Sequence, residues 1–222
     1  MKILIVYAHP ESKSMNAAMF HEAIETLKAA GHEVQTTDLY AMQFNPVSDR
    51  HNFTSTLDPE FFKQQLEEVH ATKVNGFIPG LDAEQQKVEW CDLMIWQFPL
   101  WWFSVPAILK GWVDRVFAMG RTYGGGHIYE TGIFSGKKAL LSLTTGGKEA
   151  DYLKNGFNGD LLSMLKPLHR GILQFTGFSV LQPQVVYGPA RISSAEREEA
   201  LSGWRSRLQD VFSETPIEVG TY

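Results

Sequence analysis

Apolar residues run almost unbroken through Lys2–Ala8 (KILIVYA), Asp92–Pro99 (DLMIWQFP) and Lys137–Gly147 (KKALLSLTTGG). A parallel strand covered by helices on both faces needs such runs. A more polar run, His32–Tyr40, reads as a strand nearer an edge. A fifth, Phe178–Tyr187, carries Pro183 in its middle, which predicts an edge or bent strand because proline cannot donate to a ladder. Helical spacing fills most of the gaps. Ser14 or Asn16 can cap a helix with Phe20, Ala23, Ile24 and Leu27 on one face, ending at Gly31. Pro106 suits the start of a helix carrying Leu109, Trp112, Val113 and Val116. Asp160 to Phe175 predicts another, kinked or broken at Pro167, and Ser193 to Phe212 a last one with a capping box. Strands alternating with helices define an α/β chain: a doubly wound parallel sheet of five strands with right-handed crossovers. The stretch 43–80 reads as a loop-rich insertion with a short helix near 59–69, within one unit spanning residues 1–222.

Composition narrows the possible partners. The chain has 222 residues and a net charge of −5, which argues against nucleic acid as the main partner. Its one cysteine, Cys91, cannot form an internal disulfide, as suits a reducing compartment. No targeting segment and no transmembrane segment is legible, so the expected location is cytoplasmic.

Ligands of open α/β sheets bind outside the carboxyl ends of the strands, and three such ends are unusual. His9–Asn16 (HPESKSMN) gathers hydroxyls and an amide at a helix N-terminus, where an anion is favoured. It is neither a P-loop nor a glycine fingerprint. Gln97–Pro106 (QFPLWWFSVP) sets Phe98, Trp101, Trp102 and Phe103 in one turn, and flat aromatics beside backbone polar groups suit a planar heterocycle. Thr144-Thr145-Gly146-Gly147 offers small residues that let a ligand approach the backbone. Singly, these are a capped polar turn, core aromatics and an ordinary strand exit. Together they describe a flavin site, with phosphates at the first loop and the ring between the other two.

The same segments, with DLYAMQFNP (38–46), GILQFTGFSVLQPQ (171–184) and SGW…RL…ETP near the end, resemble the FAD-dependent NAD(P)H quinone reductases of the flavodoxin-like superfamily over nearly the whole chain. The resemblance implies a strand order of 2-1-3-4-5, bound FAD, and two-electron reduction of a quinone by NADH or NADPH. Nicotinamide and quinone would take turns at one ring face, a ping-pong cycle. It implies that His9, Ser14, Asn16 and Ala18 hold the diphosphate region, and that Pro99, Leu100, Trp102 and Phe103 contact the ring and ribityl chain. Thr144, Thr145, Gly146 and Gly147 would bind the ring edge, with Arg197 and Leu201 reaching FAD from the last helix. Tyr152 matches the catalytic tyrosine, with Gly146 and Asn158 beside it in the reaction centre. The family is a homodimer with composite sites, so Tyr123 and Phe175 would enter the substrate pocket from a partner, on the side of Gly125 and His127.

The chain departs from the family in several places. Asn158 stands where many members have histidine, and an amide cannot carry a proton. Gly125 replaces a pocket tyrosine and Trp101 a glutamine; Arg170 and Gln174 replace metal-binding histidines, so no metal is expected. The sequence ends at Tyr222, before the extra carboxyl-terminal region of longer members. His127 reads either as a substrate-facing group or as an exposed loop residue. Lys110 and Arg115 read as a solvated helix face or an interface, with Asp114 a partner for one of them. Three other functions fit the pattern: an FMN-dependent azo or nitro reductase, a flavin-binding regulatory subunit of a membrane transporter, and a flavodoxin-like electron carrier.

Overall fold

The computed structural model describes residues 1–221. Its sheet is built from β1 (Lys2–Tyr7), β2 (Glu33–Asp38), β3 (Leu93–Pro99), β4 (Lys138–Thr145), β5 (Ser179–Val180) and β6 (Gln184–Tyr187). All pairings are parallel, in the order β2-β1-β3-β4-β5, with β6 also on β4. The expected fifth strand is therefore present but split. Its first part pairs with Lys138 and Ala139, its second with Ser142–Thr145. Pro183, lacking an N–H, falls in the gap.

Among the described residues six α-helices accompany it: α1 (Met15–Ala29), α2 (Gln64–Val74), α3 (Pro79–Trp90), α4 (Ala107–Val116), α5 (Leu161–Leu168) and α6 (Ser194–Gln209). Side chains alternate across β1 with period two. Ile3, Ile5 and Tyr7 join Phe20, Leu27, Trp204 and Leu208 of α1 and α6 in one apolar layer. Leu4, Val6 and Ala8 join Leu81, Val88, Leu109, Trp112 and Leu165 of α3, α4 and α5 in the other. Helices thus cover both faces, and the ends of the central strands are the free surface of the sheet.

Several elements differ from expectation. The helix expected at 59–69 forms five residues later, at 64–74, and α3 follows it directly. α3 is masked in the sequence because two of its four buried positions, Glu84 and Gln85, are polar. Glu84 accepts hydrogen bonds from Thr37 Oγ1 (2.7 Å), Trp112 Nε1 (2.9 Å) and Lys87 Nζ (2.6 Å), which satisfies its charge inside the fold. Pro167 does not break α5; the helix runs through it and passes at His169 into a π-turn extending to Gln174. Arg115 is not solvated. It is 6% exposed, donates to Asn52 Oδ1 and the Asn45 carbonyl (both 2.6 Å), and fastens the 43–53 loop to α4. Asp114 does pair with exposed Lys110, at 2.6 Å.

A candidate flavin cleft at the strand tips

The chain leaving β1 turns sharply before α1. His9 Nδ1 accepts the Glu11 amide (3.0 Å), and Glu11 Oε1 accepts the Lys13 amide (2.7 Å). Burial holds the His9 pKa below its usual value. Its neutral ring, with Nδ1 engaged as acceptor, keeps its proton on Nε2, a ready donor to an anion. Ser14 caps α1: its hydroxyl accepts the Ala17 amide (3.1 Å) and its carbonyl the Ala18 amide (3.0 Å). The amides of Met15 and Asn16 have no partner within the helix. A 470 Å³ cavity opens here, lined by His9, Lys13, Ser14, Asn16, Thr144 and Arg197 among others. Lys13, the histidine donor and the helix N-terminus border it, a set suited to an anion.

Asn16 is 2% exposed, and its side chain is committed to the protein. Its Nδ2 donates to Thr144 Oγ1 (2.7 Å), and its Oδ1 accepts from Gln97 Nε2 (2.8 Å). These two bonds stitch the tips of β3 and β4 to the start of α1.

After β3, the Leu100 amide donates to the Thr144 carbonyl (2.8 Å). Trp101 and Ser104 then exchange both backbone bonds (3.0 Å each), closing a two-residue turn over Trp102 and Phe103. Both central residues have left-handed backbones, with φ of 51° and 58°. That is the tight turn normally given to Asn-Gly; in aromatics it costs about 1–3 kcal/mol per residue. Such strain persists where function requires it. The turn leaves Trp102 95% exposed and Phe103 half exposed, while Phe98 is buried. The Trp101 ring lies 6.1 Å from His9, joining the aromatic turn to the phosphate loop.

The exit of β4 forms the third wall. Thr145 Oγ1 donates to the Gly147 carbonyl (2.8 Å), and the Gly188 amide to the Thr145 carbonyl (3.0 Å). A Cβ at Gly146 would meet nothing within 4 Å, whereas one at Gly147 would stand 2.8 Å from Asp151 Oδ2, 3.2 Å from Tyr152 Cε2 and 3.6 Å from Asn158 Nδ2. Gly146 thus borders open space, and Gly147 backs onto the Tyr152–Asn158 loop. That loop is held by the Asn158 amide on the Asp151 carbonyl (2.7 Å), and buried Tyr152 packs against Tyr187 with ring centres 5.9 Å apart. Gly146 is exposed, so the backbone at the β4 exit is open to approach.

Arg197 lines the cavity with its guanidinium folded onto the carbonyls of Pro189 (3.1 Å) and Ile192 (2.6 Å). Leu201 packs against the α1–α6 layer, and Ala18 is half-buried on α1. Pro99 pairs with Thr144 in the sheet and Leu100 packs on the core, so both act through their backbone position. Lys13 was not foreseen; its signal was a cation in the turn immediately before a helix cap.

Four predicted pocket residues stand apart from this cleft. Tyr123 and Phe175, ring centres 5.5 Å apart, line a separate cavity of 390 Å³, which shares no lining residue with the first. Gly125 and His127 are exposed on the loop after Tyr123, and His127 Nδ1 lies 3.3 Å from the Thr131 carbonyl. Within one chain, then, two groups of predicted residues occupy two places.

A doubly wound parallel sheet of order β2-β1-β3-β4-β5, with a polar turn before a capped helix, an aromatic turn and a glycine exit at neighbouring strand tips, defines a flavodoxin-like protein. Residues 1–209 match the family model described as flavodoxin-like fold. The chain is 46% identical to NAD(P)H dehydrogenase [quinone] 1 of Cavia porcellus, over 97% of this chain and 79% of that protein. It is 45% identical to the human ribosyldihydronicotinamide dehydrogenase [quinone], over 97% of this chain and 94% of that protein. A crystal structure from Klebsiella pneumoniae, of a protein assigned as a quinone reductase, superposes with a TM-score of 0.94 at 39% identity, covering 98% of this chain and 87% of that one. The chain belongs to the flavodoxin-like family of quinone dehydrogenases that these relatives represent.

Proposed function

We propose that this protein, as a single flavin-binding unit, holds FAD and reduces quinones by two electrons at the expense of NADH or NADPH. The observation that carries this reading is the 470 Å³ cavity where the tips of β1 and β4 meet the start of α1, lined by His9, Lys13, Ser14, Asn16, Thr144 and Arg197 among others. The cavity continues past Ser14 and Asn16 to Met15, Pro189, Ala190 and Arg197. The choice of FAD over FMN rests on the likeness to the FAD-dependent quinone reductases. When bound, the flavin supplies the hydride acceptor and donor; the protein supplies binding, orientation and charge. The amides of Gly146 and Gly147 and the hydroxyl of Tyr152 stand as fixed donors for negative charge developing at the ring edge, the preorganised form of electrostatic catalysis. Asn158 adds an amide donor but moves no proton. Trp102 and Phe103 wall the exchange face, and a single exposed face makes donor and quinone alternate in ping-pong order.

The working form is a homodimer. Trp102, and Phe157 (94% exposed) next to Asn158, are aromatic surface that asks for cover. A second copy bringing Tyr123, Phe175, Gly125 and His127 over the cleft would join the two separated groups into composite sites related by a two-fold axis. The reducing compartment that suits lone, buried Cys91 is the cytoplasm, and among the described residues no helix is long and apolar enough to cross a membrane.

A second reading concerns the donor. Relatives at 44–45% identity are named for ribosyldihydronicotinamide, and Asn158 departs from the histidine that the resemblance implies. Both readings are tested by purifying the protein, identifying the flavin released by heat, and assaying menadione reduction with NADH, NADPH and ribosyldihydronicotinamide. One FAD per chain and parallel double-reciprocal lines are expected. FMN alone would favour an azo or nitro reductase. Co-purification with a membrane protein and negligible turnover would favour a regulatory subunit. A protein that is colourless and takes up neither flavin would end the proposal.

A further inference from the structure

The loop from Met119 to His127 carries Tyr123; the Gly120 amide on the Tyr123 carbonyl (2.7 Å) closes its first turn, and Arg121 ties that turn to Gln85 (2.7 Å) and Glu89 (2.7 Å) of α3. Gly120, Gly124, Gly125 and Gly126 all have left-handed φ, from 62° to 121°, and glycine-rich backbone has the most freedom to lose on ordering. Tyr123 packs against Phe175, and α2 holds two further points of the segment, the Tyr123 hydroxyl and the Met119 amide. Glu68 is 3% exposed and accepts the Met119 amide at 2.7 Å, at the loop's start. Gln65 Nε2 donates to the Tyr123 hydroxyl at 3.2 Å. Glu68 is itself held by Gln64 Nε2 (2.9 Å). Gln65 and Glu68 stand three apart on one helix face, so a single rigid surface grips both ends of the Met119–Tyr123 segment. Thr72, one turn further, is the nearest neighbour that a Cβ at Gly120 would meet, at 3.3 Å. Burial raises the Glu68 pKa, and the bonds from the Met119 amide and Gln64 oppose that shift.

We propose that Gln65 and Glu68 are positioning residues that fix the Tyr123 loop and so set the outer wall of the quinone pocket. The inference rests on the reading of Tyr123 as a pocket residue. Both α2 side chains border the same cavity as Tyr123, and the role assigned to them runs through their bonds to the Tyr123 hydroxyl and the Met119 amide. Loss of the Gln65 bond frees the Tyr123 hydroxyl. Loss of the Glu68 acceptor frees the loop where it leaves Ala118. Quinone binding should weaken while the flavin cleft, built from other elements, stays intact.

The test compares Gln65→Leu, Glu68→Leu and Glu68→Gln in the flavin-loaded protein. The first two should raise KM for menadione about tenfold, with kcat within about twofold and flavin content unchanged. Glu68→Gln keeps an acceptor oxygen for the Met119 amide and should restore KM to within about twofold of the parent. Hydrogen exchange of the amides from 119 to 123 should speed up about tenfold in the two leucine variants and not in Glu68→Gln. Unchanged KM and unchanged exchange would overturn the proposal, as would kcat, KM and flavin content failing together. If the parent binds flavin but reduces no quinone, the functional reading fails, and the exchange data alone decide whether α2 holds the loop.

Discussion

Replacing His169 should remove a large part of the protein's sensitivity to mild acid. His169 closes α5, is 1% exposed, and its Nε2 has no hydrogen-bond partner among the described residues. Burial pulls its pKa from 6.5 to about 4. Above pH 6.5 the ring is neutral both folded and unfolded and does not affect the balance. Between 6.5 and 4 the unfolded chain takes up a proton that the folded one refuses, so stability falls as the pH falls. A gap of about 2.5 units at about 1.4 kcal/mol each amounts to about 3 kcal/mol, a substantial share of the stability of a domain this size. His169→Leu keeps a similar volume and leaves no unpaired nitrogen, so its stability at pH 7.5 should lie within about 1 kcal/mol of the parent. Urea unfolding of both proteins at pH 7.5, 6, 5 and 4, with flavin at a fixed excess, gives the difference directly. Acid-labile carboxylates act alike in the two chains and cancel. The variant should gain about 3 kcal/mol on the parent between pH 7.5 and 4; parallel curves would refute the reasoning.

Three further outcomes follow from the strand-tip cleft. Tyr152→Phe should slow flavin reduction roughly tenfold, the worth of one hydrogen bond of about 1.4 kcal/mol; an unchanged rate of bleaching in stopped flow would remove Tyr152 from the reaction. Gly147→Ala should press on Asp151 and Tyr152, costing about 1–3 kcal/mol in thermal unfolding and lowering kcat about tenfold. Gly146→Ala, which meets no protein atom, should leave the unfolding temperature of the flavin-free protein within about 2 °C and weaken flavin uptake instead. Equal behaviour of the two alanine variants would show that the ring does not sit where the open volume suggests.

The strand-tip cleft was legible because its parts are local: a polar turn before a capped helix, an aromatic turn, and a Thr-Thr-Gly-Gly exit each announce themselves within ten residues. The sheet was legible for the same reason, since β1, β3 and β4 are buried on both faces and their apolar runs admit little else. What escaped was polar matter made internal by distant partners. Glu84 hid α3 because its acceptance of Trp112 and Thr37 spans 28 and 47 positions. Arg115 read as surface because Asn52 and Asn45, which satisfy it, lie more than 60 positions away. The grip of Gln65 on Tyr123 crosses 58 positions and leaves no periodic trace.

The Trp102–Phe103 turn also bears on engineering. A library screened for heat resistance alone should drift toward Asn at 102 and Gly at 103, since those residues sit in that backbone at ease. Each such winner would gain robustness by erasing the aromatic ledge proposed to meet the flavin. Breeders of hardier variants of this protein would therefore do well to freeze these two codons before the first round.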